Sequence, residues 1–162
     1  LCQPNILNIE RIIPYNEPMR QKKRVIWLTG NTGAGKTSLA YLLKKKMNVI
    51  VLDGDEMRAS ISTDLGLTRE DRDAHNMRVA RLAKVLDAQG WRVVVSVIAP
   101  FRSTRAKITR LINPYWIYIK GGKLGNHVPY EVPTKPDVSI DPSKETLKES
   151  AEKIMKKIKL FK

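Results

Sequence analysis

The chain of 162 residues has one cysteine and no long apolar run. With Cys2 alone, an intrachain disulfide and a zinc site built from several cysteines are excluded, and a reducing cytoplasm is the expected compartment. The apolar stretches, such as residues 93–95, have the length of strands and fall far short of the roughly 20 residues that cross a bilayer. We therefore expect a soluble protein with no membrane partner and, at the Leu1 end, no secretory signal.

Acidic residues are also scarce: 16 Asp and Glu stand against 30 Lys and Arg, which gives a formal net charge of +14. Such a balance raises nucleic acid as a partner, because clustered cations displace counterions from a phosphate backbone. The lysines, however, gather near the ends of two predicted helices and have no aromatic residues between them. This pattern favours a solvated basic face over attraction of small anionic substrates, and both over a polynucleotide site.

A glycine-rich segment follows the first apolar run and precedes a helical pattern. It matches G-x-x-x-x-G-K-[ST] in full, in the strand, loop and helix context of a phosphate-binding P-loop. Glycines let successive backbone N–H groups converge on phosphate oxygens at the start of a helix. We expect Lys36 to contact the β- and γ-phosphates of ATP and Thr37 to ligate Mg²⁺. The predicted nucleotide-binding residues are Gly30, Asn31, Thr32, Gly33, Ala34, Gly35, Lys36, Thr37 and Ser38.

The rest of the chain alternates strand and helix patterns. Residues 1–23 carry three prolines and no clear period, which predicts an arm or linker ahead of one P-loop domain over residues 24–162. The alternation predicts an α/β fold of the P-loop NTPase type, a parallel β-sheet with helices on both faces. Strands are expected at residues 25–29, 49–53, 92–98, 115–119 and 138–140.

Two helix starts can be predicted from capping residues. Thr68, with Asp71 three residues later, predicts the start of a long helix that ends near Gly90. Asp141 with Pro142 predicts the start of the last helix.

Two carboxylates and an arginine follow the second predicted strand, at Asp53, Asp55 and Arg58. In a doubly wound sheet, ligands bind beyond the carboxyl ends of the strands, so these side chains are placed to meet a substrate. Either Asp53 or Asp55 could orient metal-bound water or accept a proton from an attacking hydroxyl, while Arg58 could hold an anionic group. A solvated Asp-Gly turn is the simpler alternative, which the upstream P-loop disfavours.

The order of the motifs resembles that of adenylylsulfate kinases, without a gap from about residue 25 to residue 105. Several blocks at the family spacing make this resemblance more specific than the P-loop alone. It implies a kinase that transfers the γ-phosphate of MgATP to the ribose 3′-hydroxyl of adenosine 5′-phosphosulfate, a small anionic acceptor. After the P-loop the matching blocks are Leu52-Asp53-Gly54-Asp55 with Arg58, Asp64-Leu65-Gly66, Asp71-Arg72, Arg78-Val79-Ala80, and Ser96-Val97-Ile98-Ala99-Pro100-Phe101-Arg102 with Arg105.

The resemblance also implies roles for individual residues. Asp55 would be the base beside the 3′-hydroxyl, Asp53 would join Thr37 in the Mg²⁺ shell, and both would be catalytic together with Lys36. Ile98 and Ala99 would receive the acceptor through their backbone. The residues that would contact the acceptor are Asp55, Arg58, Leu67, Arg72, His75, Ile98 and Ala99.

The sequence departs from the family in its lid and its acceptor pocket. After the strand predicted at residues 115–119, roughly two dozen family positions are absent, including basic lid residues and an aromatic that stacks on adenine. Leu67 stands where the second stacking aromatic is expected. His75 replaces a family asparagine, with Asn76 one position later, and it either hydrogen-bonds a ribose or phosphate or is an ordinary helical residue.

Three alternatives stay open beside the adenylylsulfate-kinase-like interpretation. One is a P-loop kinase for another nucleotide-linked or small-molecule hydroxyl, which would retain the P-loop and Asp55. Another is a non-catalytic module that binds ATP without turnover. The third is a nucleic-acid binder, whose binding would depend strongly on salt. The sequence leaves the oligomeric state open, a homodimer included.

Overall fold

The computed structural model describes residues 23–122 and 130–159 of the chain. The predicted arm, apart from Lys23, and part of the shortened lid segment lie outside the described residues. Within the described part, none of the helices has the length and apolarity needed to span a membrane.

A five-stranded, wholly parallel β-sheet forms the centre of the fold, with the strand order β2-β3-β1-β4-β5. The predicted strands are all present, with the second and third shorter than expected. Apolar and aromatic side chains make up most of the three central strands, as expected where both faces of a parallel sheet are buried. The strands are β1 (Val25–Thr29), β2 (Ile50–Asp53), β3 (Val93–Ser96), β4 (Tyr115–Ile119) and β5 (Val138–Ile140).

Helices cover both faces of the sheet, as predicted, and the side chains of β1 show why. Ile26 and Leu28 point into one buried cluster, and Val25 and Trp27 point into the other. The first cluster packs against α1 and α5, and the second packs against α3 and α4. The helices are α1 (Lys36–Lys46), α2 (Gly54–Ser60), α3 (Arg69–Ala88), α4 (Arg102–Ile112) and α5 (Leu147–Lys159).

The start of α3 is confirmed, because Thr68 Oγ1 accepts a hydrogen bond from the Asp71 backbone N–H at 3.1 Å. The prediction that Asp141 and Pro142 open the last helix is wrong, since α5 begins at Leu147.

A reciprocal capping box explains the later start. The Thr146 N–H donates to Glu149 Oε2 at 2.7 Å, and the Glu149 N–H donates to Thr146 Oγ1 at 3.3 Å. Asp141 Oδ1 instead accepts hydrogen bonds from the N–H and hydroxyl of Ser143, which closes a local turn.

The strand order positions the candidate site. From the central β1, the chain crosses to β2 at one edge and later to β4 on the opposite side, so the direction of winding changes beside β1 and β3. A crevice opens at the carboxyl ends of strands at such a point. The segments that follow β1, β2 and β3 therefore meet there.

Candidate active site

The loop between β1 and α1 is shaped to hold phosphate. Gly33 and Gly35 have φ angles of 76° and 94°, in the left-handed region that other residues rarely enter. Gly35 is the N-cap of α1, where no side chain caps the helix and no acidic residue lies in the first turn. The backbone N–H groups and the positive end of the helix dipole are therefore left for an anion.

Lys36 lies at the start of α1 with a side chain that is largely buried. Its ammonium donates hydrogen bonds to the carbonyls of Gly30 at 2.9 Å and Asn31 at 2.7 Å, both in the same loop. Burial lowers the pKa of Lys36 to about 8, against the raising effect of the nearby carboxylates of Asp53 and Asp55. The Lys36 ammonium thus lies where little water reaches it, so its charge would attract a phosphate more strongly than it would in bulk water.

Asp53 joins the phosphate loop to the end of β2. Thr37 Oγ1 donates to Asp53 Oδ2 at 2.8 Å, and the Asp55 backbone N–H donates to Asp53 Oδ1 at 3.1 Å, so Asp53 caps α2. Ser96, at the end of β3, places its Oγ 3.5 Å from the Thr37 hydroxyl. Both carboxylate oxygens of Asp53 are therefore engaged.

This oxygen set suits Mg²⁺, which takes one or two protein oxygens and completes its shell with phosphate and water. A hydroxyl and a carboxylate already in contact are ligands of that kind. Across residues 23–122 and 130–159, no group of three or more His, Cys, Asp or Glu side chains could hold a metal on its own. A metal here would depend on the phosphates of a bound nucleotide.

One cavity brings most of the predicted site residues together. The two residues Asp55 and Arg58 face it from α2, and Arg72 and His75 face it from α3. The sequence analysis assigned no contact role to five of the lining residues; their signal was their position at or after the end of β2 or β3, or one helical turn beyond Arg72. The predicted residues on its wall are Thr32, Lys36, Thr37, Asp53, Asp55, Arg58, Arg72, His75 and Ile98, and the additional ones are Gly54, Asn76, Ser96, Val97 and Pro100.

Two arginines give one end of the cavity a positive charge. Arg58 donates to the Gly66 carbonyl at 2.9 Å, and Arg72 donates through Nε to the Leu67 carbonyl at 2.9 Å. Burial lowers the pKa of Arg58, and the nearby charge of Arg72 lowers it further. An anion between the two guanidinium groups would relieve that repulsion, so this end of the cavity is suited to phosphate or sulfate oxygens.

Two predicted contact residues do not reach the cavity wall. Leu67 is 65% exposed, and only its backbone carbonyl takes part in the site, as the acceptor for Arg72. Ala99 is fully buried with a φ of 45°, and its carbonyl accepts a hydrogen bond from Arg105 at 2.8 Å. Its neighbour Ile98 does line the cavity, and the Ile98 carbonyl accepts a hydrogen bond from the Thr29 hydroxyl.

The loop after β3 is held in place from behind by Arg105. Besides the Ala99 carbonyl, Arg105 binds the carbonyls of Pro100 at 3.0 Å and Glu131 at 2.6 Å. The hydroxyl of Tyr130 lies 2.9 Å from Thr29 Oγ1, and burial raises the pKa of Tyr130 to about 12. These contacts fix the backbone that forms the far wall of the cavity.

His75 is buried on the opposite wall, and its Nδ1 has no hydrogen-bond partner among the described residues. Burial lowers the pKa of His75 to about 4, and the positive charges of Arg58 and Arg78 act in the same direction. The imidazole is therefore neutral at pH 7 and presents an unmet polar nitrogen.

A second, mainly apolar cavity borders the phosphate loop between α1, β4, β5 and the start of α5. The sequence analysis did not identify it, because its walls come from segments that are far apart in the chain. Mainly apolar cavities with a few polar groups are typical of places that hold a small molecule or cofactor. Its lining residues are Ala34, Gly35, Leu39, Ile119, Ile140, Pro142, Glu145, Thr146, Leu147 and Ser150.

Comparison with protein families supports the resemblance seen in the motifs. The adenylylsulphate kinase family model matches residues 22–121. A probable adenylyl-sulfate kinase of Synechocystis sp. is 33% identical over 169 aligned positions, which cover 86% of this chain and 96% of that protein. A probable adenylyl-sulfate kinase of Pyrococcus abyssi is 35% identical over 163 positions, covering 83% of this chain and 94% of that protein. The first alignment is longer than this chain, so that relative carries positions without a counterpart here.

The solved structure of the Mycobacterium tuberculosis APS kinase in complex with AMPPNP and APS superposes with a TM-score of 0.77. The match covers 85% of this chain and 98% of that one, at 24% identity. At this identity the likeness shows the fold alone, which is the parallel sheet with helices on both faces that was predicted.

Proposed function

The chain belongs to the adenylylsulphate kinase family and is an ATP-dependent kinase, and we propose that it transfers the γ-phosphate of ATP to the 3′-hydroxyl of adenosine 5′-phosphosulfate. The observation that carries the proposal is the single cavity shared by the phosphate loop, a carboxylate and two arginines. The γ-phosphate of ATP and the hydroxyl of an anionic acceptor could therefore lie next to each other in the same cavity.

On the donor side, Lys36 is the proposed contact of the β- and γ-phosphates. Its ammonium bonds to two carbonyls of its own loop, so it already lies beside the place where that loop would hold the phosphates. The apolar cavity beside Ala34 and Gly35 is the proposed place of the adenine, because it continues from the phosphate loop. The γ-phosphate would then point toward the cavity that holds Asp55.

Thr37 and Asp53 are the proposed protein contacts of Mg²⁺. When bound, the ion neutralises charge on the phosphate oxygens of ATP. Asp53 would serve this role better than Asp55, because its Oδ2 already contacts Thr37, the residue that follows Lys36.

Asp55 is the proposed general base. Its backbone is held by Asp53 at the start of α2, while its exposed side chain faces the cavity. In the proposed reaction the acceptor hydroxyl gives its proton to the Asp55 carboxylate. The hydroxyl oxygen then bonds to the γ-phosphorus as the bond to the ADP oxygen breaks. Arg58 and Arg72 would hold the phosphosulfate and so orient the hydroxyl for in-line attack.

The exposed Leu67 favours a second candidate, a kinase for another anionic hydroxyl compound. A side chain that lies off the cavity wall supplies no stacking face for the acceptor's adenine. We therefore expect adenosine 5′-phosphosulfate to bind weakly.

An acceptor panel with γ-labelled ATP and Mg²⁺ tests the proposal. The panel contains adenosine 5′-phosphosulfate, adenosine 5′-phosphate, shikimate and gluconate, and the label is followed into each product. Label on adenosine 5′-phosphosulfate alone is the expected result. Label on another compound, with none on adenosine 5′-phosphosulfate at millimolar concentration, would support the second candidate.

The compartment and the assembly stay proposals as well. We propose a cytoplasmic enzyme, in keeping with its single cysteine. A homodimer is proposed as the assembly to test first, by light scattering at several protein concentrations.

A further inference from the structure

Two hydrogen bonds join α1 to the start of α2, one from each of two successive turns of α1. Thr37 Oγ1 donates to Asp53 Oδ2 at 2.8 Å. Tyr41 Oη donates to Glu56 Oε1 at 2.7 Å. Thr37 and Tyr41 are four residues apart and so lie on one side of the helix. Thr37 and Asp53 already have a proposed role at Mg²⁺, whereas Tyr41 and Glu56 belong to none of the motifs described above.

The Tyr41 hydroxyl is well suited to hold the Glu56 carboxylate. A distance of 2.7 Å between a hydroxyl and a carboxylate oxygen is typical of a charge-assisted hydrogen bond, which is stronger than a bond between neutral groups. The bond to Glu56 raises the pKa of Tyr41, so the phenol stays protonated and donates at pH 7. The Lys44 ammonium lies 5.8 Å from the centre of the Tyr41 ring, which supports the ring from its own helix.

The two helices differ in how firmly the core holds them. The side chains that α1 places in the core are Leu39, Ala40 and Leu43. The residues of α2 are all exposed or half-buried, and the one that packs against a buried cluster is Met57. A side-chain bond between the helices therefore contributes more to the position of α2 than to the position of α1.

The position of α2 relative to α1 matters for the proposed reaction. Asp55 and Arg58 face the main cavity from α2. Lys36 and Thr37 face the same cavity from α1. The relative position of the two helices thus sets how the acceptor hydroxyl meets the γ-phosphate, and a small misplacement of reacting groups costs a large part of the rate. Because Glu56 directly follows Asp55, its anchoring acts on the proposed base.

We propose that Tyr41 and Glu56 are positioning residues, whose hydrogen bond fixes the acceptor-binding helix α2 against the nucleotide-binding helix α1. This inference rests on the proposed function and deepens it, because it assigns the alignment of the acceptor to two residues that lie off the cavity wall. Loss of the bond should impair use of the acceptor. It should leave ATP binding unchanged, since α1 stays anchored in the core.

Steady-state kinetics of matched variants test the bond. Tyr41→Phe removes the donor, Glu56→Met removes the acceptor atom, and Glu56→Gln keeps a carbonyl oxygen that can accept. For adenosine 5′-phosphosulfate at saturating MgATP, kcat/KM should fall about threefold to tenfold in Tyr41→Phe and in Glu56→Met, the effect of one hydrogen bond. Glu56→Gln should lose less. The double variant Tyr41→Phe/Glu56→Met should lose no more than either single variant, because both changes remove the same bond.

Ser60→Ala is the matched control. Ser60 Oγ donates to the Glu56 carbonyl at 2.7 Å, an exposed hydrogen bond that stays within α2. This variant should keep the kcat/KM of wild type. An equal loss in Ser60→Ala and Tyr41→Phe would overturn the inference, because any exposed bond of α2 would then have the same effect.

Two further measurements need no acceptor. Calorimetric titration with MgATP should give Tyr41→Phe the same affinity as wild type. Hydrogen exchange of the backbone amides of α2 should be faster in Tyr41→Phe than in wild type, while exchange in α1 should not change. A merely structural role would weaken ATP affinity and increase exchange in both helices alike.

The outcomes separate the two proposals. No transfer from ATP to adenosine 5′-phosphosulfate by wild type overturns the proposed function, and hydrogen exchange with the ATP titration then decides whether the bond fixes α2 against α1. Unchanged kcat/KM in Tyr41→Phe, or unchanged exchange of the α2 amides, overturns this inference alone. A loss of ATP affinity as large as the loss of kcat/KM also overturns it.

Discussion

Gly122 should be essential to the shape of the phosphate loop although it lies far from that loop in sequence. A Cβ placed on Gly122 would come within 2.6 Å of the Thr32 carbonyl oxygen and 3.0 Å of the Ala34 backbone nitrogen. Both are backbone atoms that cannot rotate away, so Gly122→Ala must displace the loop by several tenths of an ångström. Gly122 also has a φ of 84°, which adds strain to any other residue.

Gly121→Ala is a matched control that separates crowding from backbone strain. Gly121 has a φ of 78°, but a Cβ there would meet nothing within 4 Å. Each substitution should destabilise the fold by about 1–2 kcal/mol through strain. Only Gly122→Ala should add about 1–3 kcal/mol of overpacking against the phosphate loop.

The two effects can be measured by thermal unfolding and by calorimetric titration with MgATP. Gly122→Ala should bind ATP at least about fivefold more weakly than Gly121→Ala, which corresponds to about 1 kcal/mol. Gly121→Ala should bind ATP nearly as wild type does. Equal ATP affinities in the two variants would refute the view that the segment after β4 shapes the phosphate loop.

Three further predictions follow from the charges of the site. Asp55→Asn should lower kcat by a factor of about 10² with little change in ATP affinity. A loss of ATP affinity as large as the loss of kcat would instead indicate that Asp55 contacts Mg²⁺, the role proposed for Asp53. Because the pKa of Lys36 is lowered to about 8, the affinity for ATP should fall as pH rises above that value, and ATP binding should be accompanied by uptake of a proton. Calorimetric titrations in two buffers of different ionisation enthalpy measure this uptake, and Lys36→Arg should show neither effect. The pKa of His75 is about 4 when folded against 6.5 when unfolded, so the unfolded chain binds more protons between these values and stability is lost as pH falls. Urea unfolding should show about 2 kcal/mol lost at pH 5 relative to pH 7 in wild type and less in His75→Gln, and an identical pH dependence in the two proteins would contradict this assignment.

Local patterns were enough to predict the fold and the phosphate loop. The spacing from Gly30 to Thr37 encodes its own backbone geometry, and the apolar strands between helical patterns define a parallel sheet. The cavity wall also followed in large part, because Asp55 lies in the segment that follows β2 and Arg72 lies in a block that resembles the family.

Features that depend on which side chain bonds to which backbone group could not be predicted. Leu67 resembles a contact residue in sequence, but two arginines bind the backbone at residues 66 and 67 while its side chain points to solvent. Asn76 stood out in the sequence only as the neighbour of His75, because the hydrogen bond from its Nδ2 to the Arg72 carbonyl is visible only in the structure. The last helix start was placed wrongly because Thr146 and Glu149 cap the helix, while Asp141 closes a turn with Ser143.

The central claim is that one cavity joins the phosphate loop to an acceptor site, and direct phosphate transfer tests it. With γ-labelled ATP, Mg²⁺ and adenosine 5′-phosphosulfate, wild type should place the label on the 3′-oxygen, as identified by phosphorus NMR of the product. Lys36→Ala should fold normally and transfer no label, while Arg58→Ala should raise the KM of the acceptor much more than that of ATP. Unchanged transfer in Lys36→Ala, or an equal rise of both KM values in Arg58→Ala, would contradict the account.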